Sequence, residues 1–185
     1  MENVLADLQQ VLHDGKTILY PTDTVWGLGC DATNKEAVQK IYSIKNREES
    51  KSLIILVSSI AMLKEFVSEI PVKALNILES ATKPTTIIYH NPKGLASNTI
   101  ASDNTIAIRI PDSEFCIEMI DLFGKPIVST SANISGEPTP KSFSEISEAI
   151  LNSVDYVVNL QQDKVNEKSS TILKIDGDDI IVIRE

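Results

Sequence analysis

The chain has 185 residues, of which 42% are hydrophobic and 23% are charged, with 7 glycines and 8 prolines. This length and composition predict one domain over residues 1–185 with a core of its own, and they exclude disordered, collagen-like and low-complexity proteins. The formal net charge of −9 provides no overall positive field for nucleic acid or an anionic membrane, so any anion must be bound by a local basic cluster.

Hydrophobic periodicity and turn residues predict a mixture of helices and strands without strict alternation. In chain order the predicted elements are a helix over 4–15, a strand over 17–20, a helix over 35–44 capped by Asn34, a strand over 53–57, helices over 60–67 and 72–79, strands over 85–89 and 105–110, a helix over 115–123, a strand over 127–130, a helix over 143–151, a strand over 155–159, and a hairpin of strands 171–175 and 180–183. The fold class expected from this mixture is α/β, a single domain with a twisted mixed β-sheet flanked by helices.

The cysteines and histidines are too few and too scattered to indicate a zinc site or a disulfide framework. Cys30 and Cys116 are therefore expected to be buried, reduced thiols. No apolar run approaches the roughly 20 residues of a membrane helix, and the first residues are acidic rather than basic. We expect a cytoplasmic protein without membrane contact.

Two glycine motifs imitate nucleotide-binding loops. The Gly-Lys-Thr sequence at 15–17 resembles the end of a P-loop, but the glycine required five residues earlier is Gln10, and the predicted helix precedes the strand. The Gly-Leu-Gly sequence at 27–29 fits a dinucleotide-binding spacing, but it follows neither a strand directly nor opens a helix. We interpret Gly15 as a helix C-cap and residues 27–29 as part of a loop.

Three polar segments fall in predicted loops, at residues 20–29, 45–53 and 129–138. The second belongs to a cationic cluster, because Lys40, Lys45, Arg47 and Lys51 lie within residues 40–51. The third follows an apolar strand, at the end where ligands of open α/β sheets usually bind. Two structural alternatives stay open: a solvated helix end for the cations and an ordinary turn for the serine-rich segment.

Together the three segments indicate a polyphosphate and a small polar substrate bound side by side. Cationic side chains, hydroxyls and an amide suit both ligands, whereas no histidine dyad or pair of carboxylates is evident. This composition favours catalysis by positioning and electrostatics over covalent catalysis.

The same segments carry a family resemblance. The sequence Tyr20-Pro-Thr-Asp-Thr-Val-Trp-Gly-Leu28 resembles the P-T-[DE]-T-x-[YW]-G-L signature of the YrdC-like family of threonylcarbamoyl-AMP synthases. Lys45-x-Arg47 with Ser131-x-Asn133 resembles its K-x-R…S-x-N tetrad, and residues 105–111, 129–140 and 170–171 match further blocks in the same order. The resemblance covers nearly the whole chain and is to the short, single-domain form of the family.

The resemblance implies a YrdC-like fold and the synthesis of threonylcarbamoyl-AMP from L-threonine, bicarbonate or CO2, and ATP, with release of pyrophosphate. The product would supply the t6A modification of tRNA, which separate transferase machinery installs. ATP would be a substrate, accompanied by Mg2+, and any contact with tRNA or double-stranded RNA would be weak or indirect.

The resemblance also assigns roles to residues. The catalytic tetrad would be Lys45, Arg47, Ser131 and Asn133. ATP would be bound by that tetrad together with Lys51, Thr139 and Arg184. Threonine and its carbamate would be bound by Thr24, Ser52, Thr105, Arg109 and Ser170, with Arg109 suited to hold a carboxylate in two parallel bonds. No protein side chain is assigned to a metal.

Two departures from the family pattern concern the pocket wall. Residues 81–86 replace a W-P-G-P-like stretch, and residues 167–169 replace a frequent G-x-E. The alternative functions are a YrdC-like paralogue that binds nucleotide or RNA without making the intermediate, and a double-stranded RNA-binding module. The retained tetrad argues against the first alternative and the net charge of −9 against the second.

Overall fold

A computed structural model of the protein describes residues 2–48, 53–166, 169–177 and 179–185. Its α-helices are α1 Glu2–His13, α2 Lys35–Lys45, α3 Ile60–Phe66, α4 Val72–Ser80, α5 Glu114–Phe123 and α6 Glu148–Leu151, with short 3-10 helices at Ser97–Thr99 and Phe143–Glu145. Its strands are β1 Ile18–Tyr20, β2 Gly27–Gly29, β3 Ile54–Leu56, β4 Thr85–His90, β5 Thr105–Arg109, β6 Ile127–Ser131, β7 Tyr156–Val157, β8 Thr171–Asp176 and β9 Asp179–Arg184.

The described strands form a mixed sheet in the order β7-β1-β2-β6-β3-β5-β4-β8-β9. The pairs β1–β7, β3–β5 and β4–β8 are parallel, and the other neighbours are antiparallel. Strand β6 joins the two halves, since its end at Ser131 pairs with Gly27 of β2 while Ile127 pairs with Leu56 of β3. The prediction of a mixed sheet flanked by helices is confirmed.

Alternation of side chains along the strands divides the core between the two faces of the sheet. On β3, Ile55 packs into a large apolar cluster with α2, α3 and α4, whereas Leu56 packs on the opposite face with α1 and α5. On β5, Ile106 and Ile108 belong to the first cluster, so Arg109 lies on the second face. The first face is apolar across the central strands, and the second combines apolar packing with polar side chains.

Local sequence signals explain the helix ends. Asn34 caps α2 by accepting a hydrogen bond from the amide of Ala37, as predicted. Gly124 ends α5 with a positive φ of 76°, a conformation that glycine adopts without a Cβ penalty. Gly15 also has a positive φ and follows α1, which confirms its interpretation as a helix terminator.

Two predictions of local structure are wrong. Residues 27–29 form strand β2 rather than part of a loop, because their backbone pairs with β1 and β6 despite the weak strand propensity of glycine. The single helix predicted over 143–151 is a 3-10 turn followed by the short helix α6. Extended backbone at Ile146 and Ser147 separates the two pieces, and the Ile146 side chain is buried.

The prediction of two buried thiols is confirmed. Cys30 and Cys116 are free and buried, and burial raises the pKa of both thiols, that of Cys116 to about 11. Among the described helices, none has the length and apolar character needed to cross a membrane.

The packing of α1 against α5 predicts that the loss of stability on replacing a leucine by alanine depends strongly on how far that leucine is buried. Leu8 of α1 is fully buried, whereas Leu122 of α5 is 49% exposed. We expect Leu8→Ala to lower the free energy of unfolding by about 2–5 kcal/mol and Leu122→Ala by less than about 1 kcal/mol, measured by urea denaturation. Equal losses in the two variants would contradict the packing described for this face.

Candidate active site

A polar cavity lies on the face of the sheet that also carries α1 and α5. Its empty volume, including the open mouth, is about 780 Å3. Strands β2, β3, β5, β6, β8 and β9 all contribute to it, with the loop after β1. The lining residues are Thr24, Val25, Trp26, Gly27, Arg47, Leu53, Ile54, Arg109, Ser129, Thr130, Ser131, Thr139, Ser169, Ser170, Ile172 and Arg184. The site therefore extends across the sheet face, whereas the sequence indicated only the carboxyl end of one strand.

Three guanidinium groups meet in this cavity, those of Arg47, Arg109 and Arg184, and no carboxylate is among the described residues that line it. Burial lowers the pKa of Arg47, and burial together with the positive charge of Arg109 lowers the pKa of Arg184. Guanidinium groups stay protonated despite such shifts. An acidic protein thus contains one strongly cationic pocket.

Arg109 is fixed by a buried ion pair at one end of the cavity. Its Nη1 donates to Oδ1 and Oδ2 of Asp23, at 2.5 and 2.6 Å, and the two side chains are 3% and 5% exposed. Its Nη2 lies 3.4 Å from Oγ1 of Thr24, whereas Nε is buried without a hydrogen-bond partner among the described residues. Such buried donors without a partner are rare, and this one belongs to a side chain that lines the cavity.

Lys45 lies behind the cavity wall. Only 1% of it is exposed, and its Nζ donates to the carbonyl oxygens of Ser131 at 2.5 Å and Asn133 at 2.7 Å. Its own carbonyl accepts from the amide of Ser135 at 2.7 Å. In this structure Lys45 ties the end of α2 to the loop after β6. Direct contact of its ammonium with phosphate stays a prediction.

Asn133 also shapes this loop. Its Nδ2 donates to the carbonyl oxygens of Ile134 and Glu137, and Asn133 is not among the described residues that line the cavity. Ser131, by contrast, lines the cavity while its carbonyl is held by Lys45. Of the predicted tetrad, Arg47 and Ser131 line the cavity, whereas Lys45 and Asn133 make hydrogen bonds at the loop after β6.

Hydrogen bonds connect the opposite wall to the sheet. The hydroxyl groups of Ser170 and Thr86 lie 2.8 Å apart, and Nε and Nη2 of Arg184 donate to the carbonyl of Ser170 at 3.2 and 2.9 Å. Ser170 and Arg184 were predicted to contact different substrates. The structure places them side by side in one cavity.

The remaining predicted residues have three different outcomes. Thr24 and Thr139 line the cavity. Thr105 does not: it lies four residues before Arg109 on β5, roughly 13 Å away at about 3.3 Å per residue, and its hydroxyl donates to Asp103. Lys51 and Ser52 lie outside the described residues.

Several features of the site were not predicted from the sequence. Asp23 was quoted only as part of a motif, and Trp26 and Gly27 were given no role. Close packing explains the two glycines of β2. A Cβ on Gly27 would lie 3.0 Å from the ring of Tyr20, and one on Gly29 would lie 2.3 Å from the carbonyl oxygen of Val128. In the sequence, the pattern that indicates this close packing is the pair of glycines at alternate positions, Gly27 and Gly29, shortly after Tyr20.

The described residues do not form a metal centre. They contain no group of three or more histidine, cysteine or acidic side chains placed to hold an ion, and both oxygens of Asp23 are engaged by Arg109. Magnesium held by protein carboxylates does not fit the described lining of this cavity.

The buried ammonium of Lys45 makes stability depend on pH. Burial and the nearby charge of Arg47 lower its pKa to about 8, from 10.5 for an ordinary lysine, so between these values the unfolded chain holds a proton that the folded chain has released. The free energy of unfolding of the unaltered protein should therefore rise relative to that of Lys45→Met, by up to about 3 kcal/mol, as the pH increases through this window.

Urea denaturation of both proteins at several pH values measures this difference. Subtracting the variant removes the titration of tyrosines and cysteines, which the two proteins share. Parallel pH profiles would show that Lys45 is not held as described.

Comparison with known proteins identifies relatives along the whole chain. The family model Sua5_yciO_yrdC, described as telomere recombination, matches residues 10–185. A protein of Methanocaldococcus jannaschii is 36% identical over 186 residues, covering 100% of this chain and 86% of its own. The threonylcarbamoyl-AMP synthase of Pseudoalteromonas translucida is 33% identical over 161 residues, covering 85% of this chain and 86% of its own.

A solved structure shows the same fold. The crystal structure of Pyrococcus abyssi Sua5 complexed with L-threonine superposes with a TM-score of 0.88 at 26% identity, and it covers 99% of this chain. This chain spans about half of that protein, 54% of its length. From the family model, the sequence identities and the shared fold together, the chain belongs to the Sua5/YciO/YrdC family.

Proposed function

We propose that the protein is an L-threonylcarbamoyladenylate synthase, a nucleotidyltransferase that uses L-threonine, bicarbonate or CO2, and ATP. The observation that carries this proposal is the cavity in which Arg47, Arg109 and Arg184 meet without a lining carboxylate among the described residues. It suits two anions, a triphosphate and a carbamate. Relatives named threonylcarbamoyl-AMP synthase and the threonine complex of a relative support the choice of substrates.

The reaction joins two anions and therefore needs charge neutralisation. The amine of threonine adds to CO2 and loses a proton, giving a carbamate. A carbamate oxygen then attacks the α-phosphorus of ATP, the bond to the β-phosphate oxygen breaks, and pyrophosphate leaves with the electron pair. Fixed guanidinium and hydroxyl donors would stabilise the charge that develops in this step.

The residues of the cavity would form two adjoining sets, which meet where Arg184 donates to Ser170. Arg47, Arg184, Ser131 and Thr139 would bind the nucleotide phosphates and ribose. Arg109, Thr24 and Ser170 would bind threonine and its carbamate, with Arg109 using the buried Nε that has no partner among the described residues. Lys45 and Asn133 would act by holding the loop that carries Ser131. Mg2+ would arrive bound to the ATP phosphates, as part of that substrate.

The roles of Lys51, Ser52 and Thr105 stay predictions from the family resemblance, as do the delivery of product to the tRNA-modifying transferase and the cytoplasmic location. Direct binding of RNA without turnover is the alternative function. It would appear as tight, steeply salt-dependent RNA binding in the absence of pyrophosphate release.

Loss of Arg47 should impair turnover much more than folding. Arg47 lies partly exposed at the cavity. A hydrogen-bond donor that stabilises the charge developing in the transition state raises the rate by roughly 10²–10³. We therefore expect Arg47→Ala to lose that factor in threonine-dependent pyrophosphate release, while Arg47→Lys recovers only part of it because an ammonium lacks the planar fork.

Lys16→Ala is the matched control, since this exposed lysine is paired with Asp14 and is not among the described residues of the cavity. It should retain nearly full activity. Melting temperatures of all variants separate folding from chemistry. An active Arg47→Ala protein, or an inactive Lys16→Ala protein with a normal melt, would place the nucleotide elsewhere.

Selection among amino acids should follow the hydroxyl of the substrate. A site that hydrogen-bonds this hydroxyl rejects alanine strongly, because its own buried polar groups would be left unpaired. Serine lacks only a methyl group, worth about 1–3 kcal/mol. Pyrophosphate release with threonine, serine and alanine, each with bicarbonate, measures this order, and equal turnover of alanine and threonine would refute a dedicated threonine pocket.

A further inference from the structure

We propose that Asp23 is a positioning residue that turns the free edge of the Arg109 guanidinium toward the carboxylate of the amino-acid substrate. The inference rests on the proposed function and deepens it. It explains why a buried acidic residue lies beside a cavity whose ligands are anions.

The contacts of Asp23 fix Arg109 from one side only. Both carboxylate oxygens accept from Nη1, and Oδ2 also accepts from the amide of Asp112 at 3.1 Å, so the carboxylate itself is anchored. A carboxylate engaged by three hydrogen bonds to backbone and guanidinium is not placed to act as a base. Its effect is to hold one nitrogen of Arg109 in place.

The edge left over has the geometry of a carboxylate receptor. The Nε and Nη2 hydrogens of a guanidinium point in parallel, and two such bonds match the two oxygens of a carboxylate. In this protein Nε has no partner among the described residues, and Nη2 has only a long contact of 3.4 Å to Thr24. By engaging Nη1, Asp23 therefore leaves the Nε–Nη2 edge of Arg109 for the substrate carboxylate.

The ion pair of Asp23 with Arg109 also lowers the net positive charge beside Arg109, which affects the binding of threonine and ATP differently. Asp23 offsets the charge of Arg109, so this end of the cavity attracts anions by directed hydrogen bonds more than by net charge. Arg47 and Arg184 also line the cavity and would contribute positive charge toward a triphosphate. Removing the charge of Asp23 should harm binding of threonine and spare that of ATP.

Isothermal titration of the full chain with L-threonine, and separately with ATP, tests the inference. We expect Asp23→Asn to raise the Kd for threonine about 10-fold or more and the Kd for ATP less than about 3-fold, because a misdirected donor loses its geometry. In an Arg109→Lys background, which lacks the paired edge, Asp23→Asn should add less than about 3-fold, since coupled residues are not additive.

Asp31→Asn is the matched control. Asp31 is another buried carboxylate paired with a cation, Lys125 at 3.1 Å, and it is not among the described residues of the cavity. It should lower the melting temperature without changing the Kd for threonine. If Asp23→Asn does not fold, Asp23→Ala provides the same comparison, because it removes both oxygens that accept from Nη1 of Arg109.

The outcomes separate the inference from the proposed function. Parallel losses of threonine and ATP affinity, or a threonine Kd unchanged in Asp23→Asn, would overturn the positioning role. An unaltered protein that binds no L-threonine would overturn it as well. An unaltered protein that binds threonine with the predicted split but releases no pyrophosphate would refute the synthase reaction and support the positioning role.

Discussion

The two-sidedness of the β-sheet is the constraint on which this structure depends. Successive side chains of a strand point to opposite faces, so each strand that contributes to the core also has a second row of residues to place. In β5 the core row is Ile106 and Ile108, and the row on the other face ends in Arg109. The helices α1 and α5 cover part of that second face, and the cavity lies on the same face. Arg109, Ser131 and Arg184 of the cavity are thus carried by strands of the sheet.

Electrostatics then determines how the cavity keeps its charge inside an acidic protein. Burying an isolated guanidinium is costly, and a buried partner offsets much of that cost. Arg109 has such a partner in Asp23, whereas Arg47 and Arg184 retain more contact with solvent. The negative charge of a bound ligand would therefore offset the unfavourable desolvation of these guanidinium groups. This pre-organisation fits a reaction in which two anions must meet.

Much of the fold was predictable because its signals are local. Asn34 before an amphipathic run, Gly124 after one, and the pairing of the last two described strands as a hairpin were all predicted correctly from neighbouring residues. Strand β2 was missed because its glycines gain a strand conformation only from the partners on either side. The division within the tetrad was missed for a similar reason: a motif shows that Lys45 matters, but the direction of its ammonium depends on carbonyls 86 and 88 residues away.

The residues of the cavity are spread along the chain, from Thr24 to Arg184 in the last strand. Because these distant residues converge in one cavity, the order of synthesis on the ribosome determines when the cavity can form. Domains form as units during synthesis, and contacts between distant segments are made late because long loops must close first. A nascent chain that has not yet released β9 lacks Arg184 and the bonds that it makes to Ser170. Among the described strands β9 is synthesised last, so the cavity takes its full shape only when β9 pairs with β8.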